Sequence, residues 1–123
     1  MRLRGFTLIE LIVVLAIVSA LIAIVWPRYI GQLDGSRDVI LRENLRLARH
    51  SIDKFYEDNN RFPDSLQELV DSRYIRALPV DPVTDRSDTW ILLPPPPNEK
   101  GQVGDLKSGA TGNSRWGIAY ADL

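Results

Sequence analysis

The chain has 123 residues, 45% of them hydrophobic and 25% charged, with a formal net charge of −1, one histidine and no cysteine. That length fits a single domain. The absence of cysteine excludes disulfides, cysteine catalysis and thiolate metal centres, and the near balance of acids and bases leaves no basic track for nucleic acid.

The apolar residues are spread unevenly. Between residues 6 and 26 the only charge is Glu10, and other polar side chains occur only at Thr7 and Ser19. A helix over this stretch rises about 1.5 Å per residue and so reaches roughly 30 Å, the thickness of the hydrocarbon core of a bilayer. We expect a single membrane pass. Arg2 and Arg4 precede it, and basic flanks tend to remain on the cytoplasmic side, which places the residues after the apolar run on the far side. A cleavable secretory signal also begins with basic residues, but its apolar part covers only about 7 to 15 residues and ends in a small-x-small site.

Glu10 sets this stretch apart from a plain anchor. An ionised carboxylate at mid-bilayer costs about 2.5 to 3.5 kcal/mol on insertion scales, and less near the interface. The residue either stays at the headgroup level or takes up a proton, or it is paired with a positive charge. Cleavage after Gly5 would supply such a charge, because Phe6 would then carry a free amine at membrane depth.

The opening "RGFTLIELIVVLAIVSALIAIVWP" resembles the class III leader and membrane helix of type IV pilins and of type II secretion pseudopilins. Gly5, Phe6, Glu10 and Pro27 occupy the matching places. Val18 and Ser19 stand where many members have a helix-loosening glycine. The resemblance implies three regions: a leader over 1–5, a transmembrane and filament-core helix over 6–27, and a periplasmic pilin-like domain over 28–123. It also implies that a prepilin peptidase cuts between Gly5 and Phe6 and methylates the new amine. Without Arg2 and Arg4 the mature subunit would hold thirteen basic and sixteen acidic side chains, a formal charge of −3. Glu10 would orient the incoming subunit and neutralise an N-terminal amine inside the filament.

After Pro27 the pattern becomes amphipathic. Leu41, Leu45, Ala48, Ile52 and Phe55 recur at spacings of three and four, with Arg42, Arg46, Arg49 and Asp53 on the other side, which predicts a helix with one buried face. We expect one long helix to about Asp58, bent or loosened near Pro27, with Gly31 and Gly35 as further loosening points. A plain helix terminator at the membrane edge is the alternative reading of Pro27. Asn59, Asn60 and Pro63 end the long helix, and Ser65 with Glu68 has capping-box spacing for a short helix over about 65–70. Tyr56, the arginine-phenylalanine-proline triplet at 61–63 and the proline-x-aspartate-proline turn at 79–82 follow the order seen in major pseudopilins.

The runs 89–93, 103–107 and 115–120 are β-prone and separated by proline- or glycine-containing connections. Three antiparallel strands packed on the long helix would give an α+β, pilin-like fold that buries Trp90, Trp116 and Tyr120. Pro94 to Pro97 fits a stiff surface connection. His50, the lone histidine, lies on the helix with no serine partner apparent, so an enzyme is not expected.

By the resemblance, major pseudopilins commonly bind calcium in an aspartate- and glycine-rich C-terminal loop. The matching "SGATGNSRWGIAYADL" contains one acid, Asp122, with Asp105 nearby. Calcium needs several oxygen ligands, so we expect no tight site and no cofactor. If the loop closes without calcium, hydrogen bonds from Ser108, Thr111, Asn113 or Ser114 would have to replace it.

The expected function is a structural subunit in the periplasmic filament of a type II secretion system. Its partners would be copies of itself and other pseudopilins, the prepilin peptidase, an inner-membrane assembly platform with its ATPase, and lipid. Two alternatives remain open: a type IV pilin or minor pilin used in adhesion, motility or DNA uptake, and an uncleaved membrane-anchored binding module. Pilins often close their C-terminal region with a disulfide, which this chain cannot form.

Overall fold

No glycine or proline interrupts the chain from Leu8 to Trp26, and the computed structural model, which describes residues 3–123 with the side chains of 29–33 excepted, forms a single α-helix, α1, over Leu8–Asn59. Pro27 lies inside α1. Its ring has no amide hydrogen, so the carbonyl of Ala23 loses its helical donor there. The chain separates into two compact units with the boundary between Asp34 and Gly35.

In the first unit every described side chain is exposed, including Leu8, Leu15, Leu21 and Trp26. The stretch Leu8–Arg28 has a mean hydropathy of 3.1 and is long enough to cross a membrane.

The second unit is built on the amphipathic half of α1. Leu41, Leu45, Ala48, Ile52 and Phe55 are each no more than 2% exposed, so the face read from their spacing is the core face. Against it pack Leu66 and Leu69 of a second helix, α2 (Leu66–Asp71), together with Trp90, Val103 and Leu106. Asn60 ends α1 in the left-handed region at φ 56°, which asparagine tolerates. Gly101, at φ 111°, lets the chain pass against the Phe62 carbonyl, where any side chain would collide. Phe62 in turn donates its amide to the Lys100 carbonyl at 2.8 Å.

Two strands form the sheet: β1 (Ile91–Leu93) and β2 (Asp105–Lys107), antiparallel, with Leu92 opposite Leu106. Pro94 to Pro97 connect them without regular structure. The fold is therefore α+β and consistent with the pilin-like expectation, with one strand fewer than predicted. Residues 115–120 form a turn instead of a strand. Gly117 adopts φ 73°, and its amide donates to the Ser114 carbonyl at 3.0 Å. Only the isolated bridge between Asn113 and Ala119 survives, after which Tyr120–Asp122 coils into a 3₁₀ turn.

The aromatic expectation needs a second correction. Trp90 is buried and donates its indole N–H to the Pro79 carbonyl at 2.8 Å, but Trp116 is 41% exposed. Its ring lies under the Arg42 guanidinium, 5.3 Å from the ring centre, so the tryptophan is satisfied at the surface by a cation–π contact.

Candidate processing and assembly site

Residues 3–7 precede α1 without regular structure, and Phe6 is 86% exposed. Arg4, Gly5, Phe6 and Glu10 line one shallow recess. A Cβ placed on Gly5 would meet nothing within 4 Å, so nothing in the fold of this chain requires glycine there. Gly5 and Phe6 thus present an accessible peptide bond ahead of a helix.

Thr7 and Glu10 determine where that helix starts. The Glu10 amide donates to the Thr7 hydroxyl at 3.2 Å, and the Thr7 amide donates back to the Glu10 carboxylate at 3.5 Å. This is the reciprocal capping box, satisfying two amides that a helix N-terminus leaves open. Glu10 is therefore held within one turn of Phe6, with its negative charge at the positive end of α1.

At the far end of the chain, neither of the two weak calcium candidates belongs, among the described residues, to a group of three side chains that could hold a metal. Asp105, on β2, accepts the Arg49 Nε–H at 2.8 Å and the Leu106 amide at 2.7 Å, both through Oδ1. Asp122 lies on the exposed 3₁₀ turn. Two acids that the sequence did not mark as site residues, Asp81 having been read only as part of the 79–82 turn, are buried beside this region. Asp38 on α1 is 3% exposed and accepts the Arg115 amide and the Tyr120 hydroxyl. Asp81 is fully buried and accepts the Ser108 hydroxyl.

The family model described as the prokaryotic N-terminal methylation motif matches residues 1–26. Type II secretion system core protein G of Klebsiella pneumoniae is 32% identical over 127 residues, which span 90% of this chain and 87% of the relative. The chain belongs to the type II secretion system core protein G family. The core protein G of Escherichia coli (strain K12) is 25% identical over 139 residues, spanning 94% of this chain and 92% of that one. The type IV major pilin protein PilA of Myxococcus xanthus is 35% identical over 68 residues, but these span 55% of this chain and 31% of the pilin. No solved structure matches the chain.

Within this core protein G family member, the methylation motif and the exposed apolar helix together mark a membrane-anchoring N-terminus. His50 is exposed on α1, and the adjacent Ser51 hydroxyl donates to its own helix at the Leu47 carbonyl, 2.9 Å away. Arg49, read from the sequence as a solvated residue, instead reaches across to Asp105 and to the carbonyls of Leu106 and Leu123. The Thr7-x-x-Glu10 spacing was open to the same capping-box reading as Ser65 and Glu68. No local signal pointed to the contacts of Asp38 and Arg49 or to the Asp81–Ser108 hydrogen bond, because those partners are distant in sequence.

Proposed function

We propose that this chain is a pseudopilin, cut after Gly5 by a prepilin peptidase, N-methylated at Phe6, and assembled with copies of itself and other pseudopilins into the periplasmic filament of a type II secretion system. The observation that carries this is the N-terminal methylation motif over 1–26, coinciding with an accessible Gly5–Phe6 bond directly before a capped apolar helix. Arg2 and Arg4 hold the leader on the cytoplasmic side, leaving the second unit periplasmic. Glu10 then provides the anion for the amine that cleavage creates, in a setting where an unpaired charge is costly. Pro27 is the point at which α1 would loosen as subunits pack. The role is structural rather than enzymatic, and the inner-membrane platform and its ATPase are the machinery it would meet.

The test is mass spectrometry of the N-terminal peptide from protein extracted from its native membrane. A start at N-methylated Phe6 is expected. A start at Met1 would overturn the processing step and favour an uncleaved anchored module. Gly5→Trp should accumulate with Met1 retained while the second unit melts as in the wild type, because position 5 faces open space. Normal cleavage of that variant would refute the requirement for a small residue.

A further inference from the structure

The family resemblance puts a calcium ion in the C-terminal loop, and the donor set of this chain does not fit one. Calcium takes about six to eight oxygen ligands, several of them carboxylate. Across 108–123 the sole acidic side chain is Asp122, and Asp105 just before the loop is engaged by Arg49 and by the Leu106 amide. Among the described residues, no group of three acidic or histidine side chains could hold a metal. The Ser114 hydroxyl is the one buried side-chain polar atom without a partner among them, and a single neutral oxygen is not a coordination sphere.

We propose that the loop is closed without metal, by the carboxylates of Asp38 and Asp81, which grip its two ends through its own donors. At the entrance, Asp81 Oδ2 accepts the Ser108 hydroxyl, while Oδ1 takes the amides of Val83 and Thr84 at 2.9 and 3.4 Å. The Ser108 oxygen passes the connection on by accepting the Ala110 amide at 3.1 Å. At the exit, Asp38 Oδ2 accepts the Arg115 amide and Oδ1 accepts the Tyr120 hydroxyl at 2.8 Å. A calcium site would gather loop oxygens around a cation. Here the polarity is reversed, and two buried anions gather loop N–H and O–H groups.

Burial of an anion is tolerated only when such donors are present, and hydrogen bonds to an ionised acceptor are the stronger kind. Both carboxylates meet that condition. The loop is shaped to reach them. Gly109 passes so close to the Thr89 carbonyl that a side chain would collide, and Gly112 turns at φ 97° and accepts the Tyr120 amide at 3.1 Å. Gly35, one turn before Asp38, leaves room for the Arg115 side chain, whose Nη1 would sit 2.7 Å from a Cβ at that position. The folded tail is thereby set by α1 and by Asp81 at the head of the 82–85 turn and does not depend on a supply of calcium.

Hydrogen exchange by mass spectrometry on the full chain in detergent micelles, with calcium chloride or with EGTA, tests this. In the wild type, exchange across 108–123 should differ by less than about twofold between the two buffers. Asp38→Ala should speed exchange around Arg115 by about ten- to hundredfold in both, the consequence of losing hydrogen bonds to a charged acceptor. Tyr120→Phe removes one of those bonds and keeps the ring, so it should speed the same amides by a smaller factor. Slowing of wild-type loop exchange by calcium, or unchanged exchange in Asp38→Ala, would overturn the proposal. If Asp38→Ala also exposes β1 and β2, Tyr120→Phe decides: loop-confined acceleration supports the clamp, and none refutes it.

Discussion

Glu10 combines two properties that are separable by substitution. Its carboxylate caps α1 through the Thr7 amide, and its charge would be available to the amine that the proposed cleavage leaves on Phe6. Glutamine at the same position retains a side-chain oxygen for the cap, since capping boxes use either residue, but carries no charge. Both Glu10→Ala and Glu10→Gln should be processed normally, because the proposed cleavage lies at Gly5. Neither should assemble. Leaving a buried amine unpaired costs about 3 to 5 kcal/mol, so the association constant should fall by at least about a hundredfold. Filament yield from membranes of each strain measures this, and wild-type yield from Glu10→Gln would reduce the residue to a helix cap. Thr7→Ala is the complementary control, losing the cap while keeping the charge.

The short helix α2 depends on a comparable arrangement that carries a pH signature. Ser65 accepts the Glu68 amide at 3.1 Å, and the Glu68 carboxylate accepts the Asp64 amide at 2.7 Å and the Arg61 guanidinium. The Arg61 hydrogen bond first, then the Asp64 amide, holds the Glu68 carboxyl below its ordinary range. A depressed carboxyl stabilises the fold fully above its unfolded value, about 4.3, and that contribution is lost as pH falls through the folded value. Glu68→Gln should therefore melt below the wild type at neutral pH and converge with it once pH has fallen below the lowered folded value of Glu68. Parallel melting curves at every pH would contradict the assignment. The Ser65–Glu68 spacing and the core face of α1 were legible in the sequence because both depend on neighbours three or four residues away. The third strand was misread for the opposite reason. Trp116, Ile118 and Tyr120 have β propensity, but the Arg115 amide that a ladder would use is taken by Asp38, 77 residues earlier, and Gly117 turns the chain. Gly5, Phe6 and Glu10 could be found because the candidate site is contiguous. The Asp38 and Arg49 contacts and the Asp81–Ser108 hydrogen bond, each joining residues at least 27 positions apart, could not.

At the scale of the whole molecule, the division after Asp34 separates two kinds of stability. Every core residue of the second unit lies between Leu41 and Leu106. The first unit contributes a helix whose described apolar side chains are all exposed, a surface far larger than a soluble monomer ordinarily presents. Isolated helices are marginal in water, and the second half of α1 is held by packing on its amphipathic face. A chain of 28–123 keeps that face, keeps Asp38 more than two turns from the new terminus, and discards the exposed apolar run. It should be a soluble monomer with a single cooperative thermal transition, and exchange across 108–123 should match that of the full chain in micelles. It should enter no filament, because Phe6 and Glu10 are gone. Circular dichroism melting with sedimentation velocity checks the first two points. An aggregated or non-cooperative product would mean that the apolar half of α1 supports the fold as well as anchoring it.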